Sequence, residues 1–303
     1  MKRVAEYLLG SPIGLRCAAV LGHTWPKTRV VRSLCWHAGA GAWHPKQQVS
    51  ARTLHGFELV IDMTDHTFRH LYFHGQYQPA VTRIIEQLAQ PGQVWIDVGA
   101  NVGYFSILLS KLVGDSGAVI AFEPNPITRR FLELSIERNN RKNVTVYSCA
   151  LGADSSLGTL RLPKEPGTVV GGHGRPSLIH HKDIKETVEV QVEVQSLDSI
   201  VKETKVWGIK MDVEGYETEV LKGAQDLFAR DPPSVVLSEV APGLTTAEEL
   251  VRSIVGLGYK AFHVETLEEW DPAIPIDGNW SADFVFIHRS QEEKLLPKIV
   301  ALR

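Results

Sequence analysis

Four acidic residues, Asp97, Glu123, Asp212 and Glu239, each stand at or just past the end of a short apolar, β-rich run. In open α/β sheets, ligands bind outside the carboxyl ends of the strands, so a carboxylate there can grip a ligand or take a proton from it. Asp97 lies near the end of Val94-Trp95-Ile96-Asp97-Val98 and is followed by a turn containing Gly99, Asn101 and Gly103. From Tyr104 the chain resumes with helical, apolar spacing. Strand, glycine turn and helix form the first unit of a nucleotide site, where free backbone N–H groups face the ligand. Asn101 stands where a pyrophosphate would require a bare glycine, and Asp97 is suited to a ligand ammonium. Both features favour S-adenosylmethionine, which has an α-amino group and no pyrophosphate. Glu123 follows the next apolar run, twenty residues on from Gly103. At that spacing a carboxylate accepts hydrogen bonds from the two ribose hydroxyls.

Lys210, Asp212 and Glu214 alternate along and just beyond a later strand. Alternate residues of an extended chain share a side, which would bring the three together. Methyl transfer to oxygen needs alignment and removal of the hydroxyl proton. Asp212 is the first choice for a site residue, and Glu214 for a base or an acceptor ligand. Lys210 is expected to pair with one of these acids, because an unpaired buried lysine is costly. Paired carboxylate oxygens also suit magnesium, but nothing in the sequence specifies a metal. His66, His70 and His74 are spaced four apart, yet Gly75 and Pro79 follow closely and no acid repeats the spacing, so they are read as structural.

Three motifs carry a family resemblance: D-V-G-A-N-V-G-Y-F-S at 97–106, F-E-P-N-P at 122–126 and K-M-D-V-E-G-Y-E at 210–217. In this order, over roughly 57–287, the chain resembles the FkbM family of S-adenosylmethionine-dependent methyltransferases. The resemblance implies a class I methyltransferase and O-methylation of a sugar, glycolipid or secondary metabolite. It extends the cofactor set of Asp97, Gly99, Asn101, Gly103, Glu123 and Asp212 to Tyr104 and Asn125. It also implies that Ala150 lies beside the adenine, in the turn after the third strand. A cover segment in the family ends in a tyrosine followed by an acid; here the pair is Tyr77-Gln78, so an amide replaces the charge. The residues alone leave open an N-methyltransferase of a small amine and a cofactor-fold binding module without turnover. Asp97 and Asn101 argue against an NAD-dependent oxidoreductase.

The elements needed to hold these residues are legible in order. Residues 53–62 suggest a hairpin, and Val81, Ile84, Ile85 and Leu88 make an i, i+3, i+4, i+7 stripe from a helix-start proline. Strands are expected over 94–98, 118–122, 144–149, 207–212, 234–240, 260–264 and 283–288, with helices over 104–112, 127–140, 217–229 and 247–255. Val188, Val190, Val192 and Val194 alternate with polar residues, an inserted strand that either walls the acceptor site or faces solvent. The fold class is therefore α/β, Rossmann-like, with a mainly parallel seven-stranded sheet, helices on both faces and an antiparallel terminal strand. The expected divisions are a basic, helical extension (1–52), a hairpin, cover and packing helix (53–92), the methyltransferase domain (93–290) and a tail (291–303).

Composition narrows the partners. The 303 residues are 44% hydrophobic and 22% charged with a formal net charge of −3, so nucleic acid is not an expected partner. Cys17, Cys35 and Cys149 are far apart, which supports neither a disulfide framework nor a zinc site and suggests a reducing, cytoplasmic setting. Within 1–50, Lys2, Arg3, Arg16, Lys27, Arg29, Arg32 and Lys46 face only Glu6, which admits a peripheral contact with anionic lipid. Oligomeric state is not encoded legibly. The expected partner is a carbohydrate, glycolipid or small-molecule acceptor.

Overall fold

The computed structural model describes residues 20, 48–63, 65–163, 187–240, 246–274, 276 and 282–302. Most of the 1–52 extension, with Cys17 and Cys35, lies outside the described residues, as do the glycine-rich stretch within 164–186 and Trp280. The chain enters through a hairpin, β1 (Gln48–Arg52) and β2 (Glu58–Asp62), then α1 (His66–His74) and α2 (Pro79–Leu88). There follow β3 (Val94–Val98), α3 (Tyr104–Val113), β4 (Ala118–Phe122), α4 (Pro126–Arg138) and β5 (Val144–Tyr147). Next come β6 (Ala150–Leu151), β7 (Ser156–Pro163), β8 (Thr187–Gln195), α5 (Leu197–Val201) and β9 (Gly208–Met211). The chain closes with α6 (Glu217–Lys222), α7 (Gln225–Arg230), β10 (Val235–Val240), α8 (Ala247–Gly256), β11 (Tyr259–His263), β12 (Ala282–His288) and α9 (Glu292–Val300).

Seven strands form one sheet in the order β11-β12-β10-β9-β3-β4-β5. All neighbours run parallel except β12, which is antiparallel to both β10 and β11. This is the mainly parallel sheet with one reversed terminal strand that the sequence pattern implies. Strand order departs from β3 in two directions, toward β4 and toward β9, so a crevice opens at the carboxyl ends of β3 and β9.

Period two along the strands decides which side chains reach which face. Trp95 joins the core packed under α2 and α3, while Ile96 and Val98 join Ile209, Met211 and Val236 on the opposite face. Asp97 shares the face of Trp95, and its register partner on β9 is Lys210. On α2 the stripe Val81, Ile84, Ile85 and Leu88 is 3% exposed or less. Burying each such side chain stabilises the fold by about 1.5–3 kcal/mol.

Several boundaries differ from expectation. The hairpin begins at Gln48, inside the stretch assigned to the extension, and Thr53–Phe57 is its turn. The hairpin sits on α4, where Ser135 and Asn139 bond the backbone of Val60 and Glu58, a contact between residues far apart in sequence. The third strand stops at Tyr147, and β6 leaves to join a second sheet, β6-β8-β7. That sheet buries Ala150, Leu160, Leu162, Val192 and Val194 in a small cluster of its own. The helix expected over 217–229 is broken into α6 and α7. The break falls at Gly223, where a Cβ would stand 2.0 Å from the Gly152 carbonyl oxygen, so the two backbones are in contact there. The terminal segment is a helix, with Leu295 and Ile299 buried and α9 packed on α2. Among the described residues no helix is long and apolar enough to cross a membrane.

Candidate functional site

β3 and β9 bring three charged groups together. Lys210 Nζ lies 3.1 Å from Asp212 Oδ2, with both side chains less than a tenth exposed, and stands over the Phe105 ring at 4.9 Å. Burial alone would lower the lysine pKa, but the carboxylates of Asp212 and Asp97 outweigh it and hold the ammonium above its usual range. Lys210 therefore stays charged. Asp97 is fully buried; its Oδ2 accepts the Ser106 hydroxyl at 2.6 Å, while its Oδ1 has no hydrogen-bond partner among the described residues. Burial raises its pKa, opposed by Lys210 and by the Ser106 hydrogen bond. An unmet buried carboxylate oxygen is costly unless a ligand supplies a donor. An ammonium would meet that need.

The glycine turn is shaped by close approach. Gly99 has φ 78°, and a Cβ there would lie 2.0 Å from the carbonyl oxygen of Asp212. The turn after β3 and the turn after β9 are thus in backbone contact. Asn101 is left-handed at φ 52°, its side chain is exposed, and its N–H donates to Glu123 Oε2 at 2.8 Å. Glu123 Oε1 accepts the N–H of Asn125 at 2.9 Å. Each oxygen keeps a lone pair for a ribose hydroxyl.

Burial pushes the Glu123 carboxyl up to about 7, against the pull of the Asn125 and Asn101 amides. Accepting two hydroxyls requires the carboxylate, so the sign is fixed. Cofactor affinity should be level above pH 7 and fall on acidification, by at most about tenfold per pH unit, as the free protein takes up the proton. Calorimetric titration between pH 5.5 and 8.5 checks this, and Glu123→Gln should flatten the profile. An equally steep profile in that variant would assign the proton elsewhere.

Other positions from the sequence reading fare differently. The Tyr104 ring is 3% exposed and packs 5.5 Å from Phe57, with its hydroxyl 3.4 Å from Thr82 Oγ1. Its side chain is committed to the core beneath the hairpin, which leaves the backbone amide to face a ligand. Asn125 caps α4, accepting the Ile127 N–H and donating to Thr128, so its side chain is committed to the helix start. Ala150 lies in β6 rather than in a turn, and its methyl packs into the second sheet. Tyr77 stacks edge-on to Tyr104 at 6.1 Å. Gln78 is left-handed at φ 38° before α2, and its buried Oε1 has no partner among the described residues.

The acidic side of the crevice is richer than the alternation of 210, 212 and 214 implied. Asp212, Glu214 and Glu239 each place a carboxylate oxygen within 4.8 Å of the others. Lys210, Ser238, Glu239 and Asp283 line a small recess beside them. His263, on β11, stacks on Phe284 at 4.4 Å rather than joining this trio. His70 and His74 stack on each other at 5.4 Å along α1. Two residues escaped sequence reasoning: Ser106, which orients Asp97, and Glu217, whose buried Oε1 accepts the N–H groups of Val213 and Gly215. The motifs contained both, but local periodicity gave neither a partner.

A doubly directed parallel sheet, a β3 turn without a pyrophosphate loop and an acid at the end of β4 define a class I methyltransferase architecture. A family model for the methyltransferase FkbM domain matches residues 97–261, and the chain belongs to that family. Membership brings S-adenosylmethionine as methyl donor, and the open oxygen of Asp97 and the paired lone pairs of Glu123 fit it. Among curated relatives, "Methyltransferase 1" of Beauveria bassiana is 31% identical over 43% of this chain and 58% of its own length. Hexuronic acid methyltransferase AglP of Haloferax volcanii is 28% identical over 55% of this chain and 63% of its own. 31-O-demethyl-FK506 methyltransferase FkbM of Streptomyces tacrolimicus is 27% identical over 56% and 74%. The matched region is thus less than two thirds of the first two relatives.

Proposed function

We propose that this chain O-methylates a hydroxyl group of a sugar, glycolipid or secondary metabolite. The observation that carries the reading is the Asp212 carboxylate, ion-paired to buried Lys210 at the mouth of the β3–β9 crevice with Glu214 and Glu239 beside it. Bound S-adenosylmethionine supplies a methyl group on a positively charged sulfur. Asp97 and Glu123 anchor that donor at its amino and ribose ends, which fixes the direction of the methyl. Alignment of this kind can be worth about 7–11 kcal/mol of barrier. Asp212 or Glu214 would accept the hydroxyl proton as the C–O bond forms and the methyl leaves sulfur, and Lys210 orients Asp212. The relative named for 31-O-demethyl-FK506 supports an oxygen acceptor, and the one named for a hexuronic acid supports a sugar-derived one.

The three carboxylates favour a second reading as well, since they would also seat a protonated amine. They would equally admit a divalent cation, given their shared oxygen donors. One experiment separates these. Methyl-labelled S-adenosylmethionine is incubated with the protein and host extract, with and without chelator, and the extract is split into lipid, glycan, small-molecule and protein fractions. Acid- and base-stable label in glycan or lipid, lost in Asp97→Ala, is the expected result. Label confined to amines would overturn the hydroxyl reading, and cofactor binding without label in any fraction would favour a binding module.

A further inference from the structure

Glu217, the last residue of K-M-D-V-E-G-Y-E, has no part in the chemistry above, yet it is 1% exposed at the first position of α6. Its Oε1 accepts two backbone N–H groups, those of Val213 and Gly215, at 3.2 Å each. These amides bracket Glu214. The bracketed residue is left-handed at φ 56° and is followed by Gly215 at φ 92°, a conformation that a non-glycine residue adopts only when its surroundings impose it. Burying a carboxylate is costly, and among the described residues Glu217 has no cationic partner. What this burial secures is the shape of a turn.

The turn matters because of where it sends Glu214. With residue 214 left-handed, its carboxylate comes within 4.8 Å of oxygens of Asp212, just beyond β9, and of Glu239, near the end of β10. One buried oxygen therefore ties together the two amides on either side of this left-handed residue.

We propose that Glu217 is a positioning residue that holds Glu214 at the acceptor end of the methyl-transfer site. This rests on the reading of Glu214 as a residue that acts on the acceptor. Only the carbonyl-like oxygen of Glu217 is used for the turn, so a glutamine, which offers the same acceptor, should serve in its place, whereas alanine should not.

The test uses Glu217→Gln, Glu217→Ala, Glu214→Ala and the double alanine variant of the full chain. Amide hydrogen exchange at Val213 and Gly215 reads the turn. Initial rates at saturating labelled S-adenosylmethionine, with the extract fraction that takes label from the unaltered protein as acceptor, read the chemistry. Glu217→Ala should exchange those two amides about tenfold faster or more, since both lose their acceptor. It should slow transfer by a similar factor with cofactor affinity unchanged, and Glu217→Gln should restore both. In the Glu214→Ala background, Glu217→Ala should cost nothing further. Multiplicative losses in the double variant, or faster exchange spread across the whole sheet, would reduce Glu217 to a general stabilising residue. Unchanged exchange in Glu217→Ala would overturn the inference outright. If the unaltered protein transfers no label, the methyltransferase reading fails and takes the catalytic consequence with it, while the exchange arm still decides whether Glu217 holds the turn.

Discussion

Asp97→Asn should weaken S-adenosylmethionine binding by a factor on the order of 30 to several thousand, with cooperative unfolding retained. The asparagine is nearly isosteric and can still accept the Ser106 hydroxyl, so the turn keeps its shape. What goes is the negative charge on the one oxygen of this group that no donor among the described residues meets. Leaving a ligand ammonium against a neutral amide in a water-excluded place costs about 2–5 kcal/mol, and each 1.4 kcal/mol is about tenfold in Kd. Lys210 retains Asp212 at 3.1 Å, so the lysine is not stranded. Isothermal titration with S-adenosylmethionine and S-adenosylhomocysteine measures the effect. Affinity within threefold of the unaltered protein would remove Asp97 from the donor site.

Asp212→Asn should behave in the opposite way, with cofactor affinity nearly intact and turnover reduced about 10²–10⁴-fold, the contribution of a positioned base. Asp212 begins the turn beyond β9, and its backbone N–H donates to the Val98 carbonyl, so the position is fixed by main chain rather than by its side chain. Loss of its charge leaves Lys210 beside Asp97 alone. Single-turnover rates with label, set beside the Kd for the donor, separate chemistry from binding. Turnover within a few-fold of the unaltered protein would pass the role to Glu214, and a parallel loss of donor affinity would mean that Asp212 binds the cofactor instead.

The sheet was readable because its rules are local. Apolar runs of five or so residues, each followed by an acid or a turn, mark parallel strands, and period two puts Lys210 and Asp212 on one face, whereas the pairing of Asp97 with Lys210 follows only from the β3–β9 register. Residues whose placement depends on a distant partner were not readable. Ala150 lies in a two-residue strand that exists only because β8 pairs with it. β7 carries Gly158 and ends at Pro163, which blurs its alternation, and it is held in place by β8. Tyr104 sits beside the glycine turn in sequence, but the hairpin packed over it claims its ring. The tail contains Pro297, a poor helix sign, yet burial of Leu295 and Ile299 against α2 overrides that preference. The left-handed turn at Glu214 is set by Glu217, three residues on, and neither residue type announces it.

The contact between Gly99 and the Asp212 carbonyl leaves no room for a single carbon atom between the two turns. On the proposed function, donor grip and proton acceptance are therefore parts of one rigid piece and cannot drift apart by small steps, because any side chain added at position 99 would pry the two turns open together. On the same reading, variety in what is methylated would then come from segments away from this joint, such as the second sheet, β6-β8-β7. Changing the acceptor and preserving the reaction become separable problems, assigned to different stretches of the same chain.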